Sequence, residues 1–177
     1  ISPGDLNIVI LGNVGSEAIE NAVKIVEKYQ GPEKNKLIYT KNAFHGRTKG
    51  ALSITDSKAL KSTFRLIEGD YIVDFDRVDQ IEELLSKNND IGGVILESIQ
   101  GGAGVIIPKD GYLKKVRDVC DKYGVLLIID EIQCGFGRTG KLFAFEYDNI
   151  IPDIVTLSKS LGGSTAAISA AIIKEDI

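Results

Sequence analysis

The stretch Gly124-Val-Leu-Leu-Ile-Ile-Asp130 decides the fold. Its five consecutive aliphatic residues, 125–129, leave no polar face, which is typical of a strand buried on both sides in a parallel sheet covered by helices. In open α/β sheets, ligands bind outside the carboxyl ends of the strands, and Asp130 stands at such an end. A second apolar run, 154–157, leads to Lys159. We therefore expect an acid and an amine at the ends of two strands of one sheet.

Strand and helix patterns alternate along the rest of the chain. Short apolar runs at 8–11, 36–39, 92–96 and 168–173 read as strands, and apolar residues recur at helical spacing over 18–29, 78–85 and 112–123. Asp76 is a candidate cap for the second of these helices. The pattern predicts an α/β fold, with a mixed, mostly parallel sheet and helices on both faces. At 177 residues the chain fits one domain.

The acid and the amine point to one kind of chemistry. Pyridoxal 5′-phosphate (PLP) needs a lysine that forms a Schiff base with its aldehyde and an aspartate that pairs with its pyridinium nitrogen. The spacing alone leaves ordinary alternatives open. Asp-Glu after a strand also occurs at helix N-termini and metal sites, and a single lysine is usually a solvated surface charge.

Two further positions have both a functional and an ordinary interpretation. Gly15-Ser16 stands between a predicted strand and a predicted helix, so its amides could bind a phosphate or simply begin a capped helix. His45, the only histidine, could be a general base or a loop residue with local hydrogen bonds. The residues themselves favour the second interpretation of His45.

Longer motifs resemble a known family. Asp130-Glu-Ile-Gln-Cys-Gly-Phe-Gly-Arg-Thr-Gly140 and Leu157-Ser-Lys-Ser-Leu-Gly-Gly163 are similar to segments of class III PLP-dependent aminotransferases of the ornithine and acetylornithine type. The resemblance covers nearly the whole chain. It implies the large domain of a fold type I PLP-dependent transferase, with Lys159 and Asp130 as catalytic residues and no metal.

The resemblance also implies which residues surround the cofactor. The segment 14–20 matches the family's phosphate-binding segment at Gly15 and Ser16, and Phe44 matches an aromatic plate that stacks on the pyridine ring. Ile132 would pack on the opposite ring face, and Gln133 would contact the phenolic oxygen. His45 and Glu97 would not contact the cofactor directly but would support the residues that do.

Four departures from the family pattern bear on the site. Val14 and Ile19 stand where the family has polar residues, and Gly102 replaces a glutamate that takes part in recognising a substrate carboxylate. Around Ser164 the chain lacks the family's proline and has one residue more. We expect these changes to alter the local network and the substrate, not the fold.

Composition limits the partners and the location. A net charge of −4 with interspersed signs argues against nucleic acid, and no apolar run reaches membrane-spanning length. Cys120 and Cys134 lack metal-ligand spacing and fit free thiols of a reducing compartment, so we expect a cytoplasmic protein. The chain contains no methionine. We expect residues 1–177 to be an incomplete PLP-binding large domain, without its N-terminal segment and C-terminal small domain, which alone shows weak or no PLP binding and no turnover.

The prediction is thus a PLP-dependent aminotransferase that moves an amino group from an amino acid or amine donor to a 2-oxo acid and forms a homodimer at full length. Two alternatives remain. One is a PLP-dependent aminomutase or racemase of the same fold. The other is a non-catalytic α/β module that binds an anion or a partner protein.

Overall fold

The computed structural model describes residues 2–163 and 165–177, which build one seven-stranded sheet in the order β1-β7-β6-β5-β4-β2-β3. The strands are β1 (Leu6–Gly12), β2 (Lys36–Thr40), β3 (Tyr71–Val73), β4 (Ile91–Glu97), β5 (Leu126–Asp130), β6 (Ile154–Leu157) and β7 (Ser169–Lys174). Strand β7 is antiparallel to both of its neighbours, and the other strand pairs are parallel. The predicted mixed, mostly parallel sheet is confirmed.

Helices cover this sheet. They are α1 (Gly15–Gln30), α2 (Lys49–Ser53), α3 (Lys58–Lys61), α4 (Val78–Lys87) and α5 (Tyr112–Tyr123), with 3₁₀ turns at Ala144–Asp148 and Lys159–Gly162. Across residues 2–163 and 165–177, none of these helices has the length and apolar character needed to cross a membrane.

The central strand β5 explains why helices lie on both faces. Leu127 and Ile129 belong to a core shared with α4 and α5, whereas Leu126 and Ile128 belong to a second core shared with α1 and α2. Each of these side chains is almost fully removed from water. Burying an aliphatic side chain contributes about 1.5–3 kcal/mol, so an aliphatic residue is favoured at each of these four positions.

The predicted N-cap of α4 is wrong. Arg77, not Asp76, occupies the cap position, and no side chain caps this helix end. The Asp76 carboxylate instead accepts the backbone N–H of Lys109 at 3.3 Å. A long-range hydrogen bond has replaced the local one that the sequence pattern favoured.

The direction of the strands positions the site. Because β1, β2, β4, β5 and β6 run the same way, the segments that follow them all leave at one edge of the sheet. Those segments carry Gly15, Phe44 and Lys159, and Asp130 ends β5 at the same edge. Residues that are far apart in the chain are thereby gathered in one place.

A buried ion cluster fixes the opposite ends of β5 and β6. The Asp153 carboxylate accepts the backbone N–H of Leu127 at 2.7 Å and pairs with Arg117 at 2.6 Å and Lys174 at 2.9 Å. The side chain of Asp153 is only 9% exposed. The guanidinium of Arg117 also pairs with Asp121, which is 63% exposed.

We expect Asp153→Ala to lower the free energy of unfolding by about 3–5 kcal/mol, since it leaves buried cations and an amide without their partner. Urea denaturation followed by circular dichroism measures the change. Asp121→Ala is the matched control and should cost no more than about 1 kcal/mol, because exposed ion pairs contribute little. Equal losses in the two variants would contradict the importance of the buried cluster.

Candidate active site

Asp130 ends β5 with a buried, fully engaged carboxylate. Its Oδ1 accepts the hydroxyl of Thr156 at 3.2 Å and the backbone N–H of Ile132 at 3.0 Å. Its Oδ2 accepts Nδ1–H of His45 at 2.8 Å. Thr156 is the register partner of Asp130 on β6, so the sheet itself supplies this donor. Hydrogen bonds of this kind stabilise the charged form of a buried carboxylate.

His45 is committed to Asp130 rather than free in a loop. Its side chain is fully buried, and its backbone N–H donates to the hydroxyl of Thr55 at 2.9 Å. The second ring nitrogen, Nε2, is buried and has no hydrogen-bond partner. The partner of the His45 side chain is thus distant in the sequence, not local, and the supporting role of His45 remains a prediction.

Lys159 follows β6 with an unusual backbone conformation. Its φ of 43° lies in the left-handed region, which is uncommon for non-glycine residues. The Nζ ammonium donates to Oε1 of Gln133 at 2.7 Å. The preceding residue, Ser158, is tied by its hydroxyl to the carbonyl of Ile168 at 3.1 Å. The lysine is thus held at the start of a tight turn with its amine accessible to solvent.

These groups line one cavity of about 200 Å³. All nine sequence-predicted site residues lie on its wall, together with four others. The wall consists of Val14, Gly15, Ser16, Phe44, His45, Gly46, Arg47, Glu97, Asp130, Ile132, Gln133, Ser158 and Lys159. The structure thus brings the predicted residues together, and their individual roles remain predictions.

The N-terminus of α1 forms one end of the cavity. Gly15 is the first helical residue, and a side chain there would come within 3.0 Å of Ile132 Cδ1. Ser16 accepts the backbone N–H of Arg47 at 3.2 Å, and a Cβ on Gly46 would lie 2.3 Å from Ser16 Oγ. The close approach therefore requires glycine at position 46, whose φ is 141°. Free helix N–H groups make this end suitable for an anion.

Two buried glutamates stand beside these residues. Glu97 is the register partner of Asp130, and burial raises the pKa of its carboxyl to about 7, opposed by His45 and reinforced by Asp130. Burial also raises the pKa of Glu131, against hydrogen bonds from Ser98 at 2.6 Å and from the amides of Ala144 and Phe145, both at 3.1 Å. Glu131 thereby anchors the loop that carries Ile132 and Gln133.

Sequence reasoning missed part of the cavity wall. Ser158, Gly46 and Arg47 line it, and each adjoins or lies within a motif that had been recognised. The acceptor Thr55 and the donor Thr156 had no such signal, because they reach the site only through the folding of the segment 43–55 and the pairing of β5 with β6.

The departures from the family pattern have different surroundings. Ile19 is fully buried in the core beneath α1, so an apolar residue suits its position. Val14 is half exposed at the start of α1. A Cβ on Gly102 would meet only Phe44 Cβ, at 3.4 Å, so there is room for a larger residue. The departure at Ser164 lies outside the described residues.

Comparisons with a family model and with solved structures point to the same family. The model for class III aminotransferases matches residues 1–177. An ornithine aminotransferase from Toxoplasma gondii is 38% identical with a TM-score of 0.92, over 97% of this chain and 42% of its own. An (S)-enantioselective omega-transaminase from Thermomicrobium roseum is 30% identical with a TM-score of 0.94, over 98% and 44%. This chain therefore spans less than half the length of either protein. It belongs to the class III aminotransferase family.

Proposed function

We propose that residues 1–177 form the PLP-binding large domain of an aminotransferase. The observation that carries this proposal is the placement of Asp130, Lys159 and the N-terminus of α1 around one cavity. A buried acid, an accessible amine and an anion-binding helix end are the three groups that the cofactor needs. Family membership and the crystallised T. gondii relative, described with PLP in its active site, support the same cofactor.

The residues present suit the parts of PLP. Asp130 would hold the pyridine nitrogen, and the amides of Gly15 and Ser16 would hold the phosphate. Phe44 and Ile132 would cover the two ring faces, and the amide of Gln133 would bind the phenolic oxygen. The narrow gap between Gly15 and Ile132 and the unpaired Nε2 of His45 are consistent with a wall built around a bound group.

The chain's own groups account for the proton movements. When bound, PLP supplies an electron sink for charge that develops on the substrate carbon. Asp130, held in place by its three donors, would keep a proton on the pyridine nitrogen and so favour that charge. The Lys159 amine would hold the cofactor, and as a free base it would move a proton at the substrate carbon. Gln133 would orient that amine.

For the overall reaction we propose transfer of an amino group from an amino acid or amine donor to a 2-oxo acid. The similarity to an ornithine aminotransferase and to transaminases supports this reaction over an aminomutase or racemase. A non-catalytic α/β module is less well supported, since it has no use for an amine held beside a buried acid.

Assembly and location are further parts of the proposal. We propose a homodimer, supported by the exposed apolar side chains of Ile8, Val9 and Leu11 on the edge strand β1. We also propose a cytoplasmic location, supported by the two free cysteines, Cys120 and Cys134.

Borohydride reduction of the full-length protein in the presence of PLP should fix the cofactor to Lys159, because Lys159 lines the same cavity as Asp130. Peptide mapping by mass spectrometry identifies the labelled residue. Lys159→Ala should lose the label and at least about a hundredfold of any turnover. The control Lys141→Ala changes a lysine that does not line the cavity and should behave as wild type. Label on any other lysine would refute the assignment.

The type of reaction is tested in the full-length protein by following ¹⁵N from labelled amino donors. We expect the label to appear in a new amino acid made from an added 2-oxo acid, with the donor leaving as its own oxo product. An aminomutase would instead return the label in an isomer of the donor, without consuming 2-oxo acid. That outcome would replace the proposed reaction but keep the proposed cofactor.

A further inference from the structure

Glu97 is a buried acid in the cavity for which the proposed chemistry has no use. It ends β4 beside Asp130, and only 3% of its surface is exposed. Its Oε2 accepts the backbone N–H of Phe44 at 3.2 Å. Burying a carboxylate is unfavourable unless its hydrogen bonds compensate, so the position calls for an explanation.

The contact with Phe44 is one of a series. Four consecutive amides, at residues 44–47, all donate to side chains. Phe44 N–H donates to Glu97, His45 and Gly46 N–H to the Thr55 hydroxyl at 2.9 and 3.2 Å, and Arg47 N–H to Ser16 Oγ at 3.2 Å. This segment lies outside helices and strands, so side chains replace the backbone partners it lacks. Glu97 is the only acid among these three acceptors.

We propose that Glu97 is a positioning residue, which sets the place of Phe44 at the cavity wall by accepting its backbone N–H. The inference rests on the proposed function, since Phe44 has a role only if a ring binds beside it. Removing the acceptor of a backbone N–H leaves that donor without a partner, which is unfavourable where water cannot replace it. Loss of the acceptor would free the first amide of the segment and allow the aromatic side chain to shift.

Charged and titratable groups surround Glu97 on several sides. Asp130 lies on the neighbouring strand, His45 on the loop, and Lys159 on the turn after β6. The buried thiol of Cys134 lies on the loop after β5. His45 and Lys159 favour the ionised form of Glu97, and Asp130 opposes it. These groups are retained in each variant below, so changes at Glu97 can be compared directly.

Four variants separate the hydrogen bond from the charge. Glu97→Gln keeps an acceptor without the charge, Glu97→Asp keeps the charge on a shorter side chain, and Glu97→Leu removes both. Asp56→Asn is the matched control, because Asp56 accepts the N–H of Asn42 at 2.8 Å at the start of the same loop but does not line the cavity. Amide hydrogen exchange at Phe44 without PLP, and PLP affinity with the visible circular dichroism of bound PLP, are the readouts.

We expect Glu97→Leu and Glu97→Asp to speed exchange at Phe44 and weaken PLP binding, each about tenfold, with a reduced dichroism band. Glu97→Gln and Asp56→Asn should stay within about threefold of wild type. If Glu97→Leu does not fold, the comparison of Glu97→Asp with Glu97→Gln still decides. If Glu97→Asp showed wild-type exchange and PLP binding while Glu97→Gln did not, the charge alone would matter. That result would overturn the inference.

The two proposals fail in different ways. Full-length wild-type protein that binds no PLP would refute the proposed function and this inference with it. Normal PLP binding, with fast exchange at Phe44 but an unchanged dichroism band in Glu97→Leu, would overturn the inference alone.

Glu97 should also make folding sensitive to pH. Since burial raises its pKa in the folded state to about 7, the folded protein binds a proton that the unfolded chain releases above its ordinary value of 4.5. The stabilisation is complete below that value and is lost as pH rises through 7. Relative to Glu97→Gln, the wild-type folding equilibrium constant should fall on the order of a hundredfold between pH 4 and 8. If wild type and Glu97→Gln showed the same pH dependence of unfolding in urea, the predicted effect of burying the Glu97 carboxyl would be wrong.

Discussion

The common direction of six strands is the constraint on which the site depends. With β7 alone reversed, the segments after β1, β2, β4, β5 and β6 leave the sheet at one edge. A helix start, an aromatic loop, two acids and a lysine therefore meet, although they come from positions as far apart as 15 and 159. If any one of these five strands ran in the opposite direction, the residues that follow it would leave the sheet at the other edge. The cavity would then lose one of its components.

Buried polar contacts then fix the side chains at that edge. Asp130 is held by Thr156, Ile132 and His45, and Glu131 by Ser98 and two backbone amides. Hydrogen bonds of this kind make a buried site rigid, although Nε2 of His45 is left without a partner. They also keep the cavity wall in place before any ligand binds, which reduces the ordering that binding must cause.

Much of this arrangement could be predicted from the sequence because its signals are local. The aliphatic run before Asp130 identifies a doubly buried strand, and Gly15-Ser16 and Lys159 follow apolar runs directly. Thr55 and Thr156 could not be found in this way, since their contacts arise only from loop folding and strand pairing. The prediction that Asp76 caps α4 failed for the same reason, because Asp76 instead makes a tertiary contact with Lys109. Family motifs supplied what spacing alone left open, notably Phe44 and Gln133.

The central claim is that Asp130 and Lys159 serve opposite ends of one cofactor. A crystal structure of the protein with PLP tests it most directly. The account predicts the pyridine nitrogen within hydrogen-bonding distance of the Asp130 carboxylate, and electron density continuous from the cofactor to Nζ of Lys159. A cofactor bound elsewhere, or one joined to a different lysine, would contradict it.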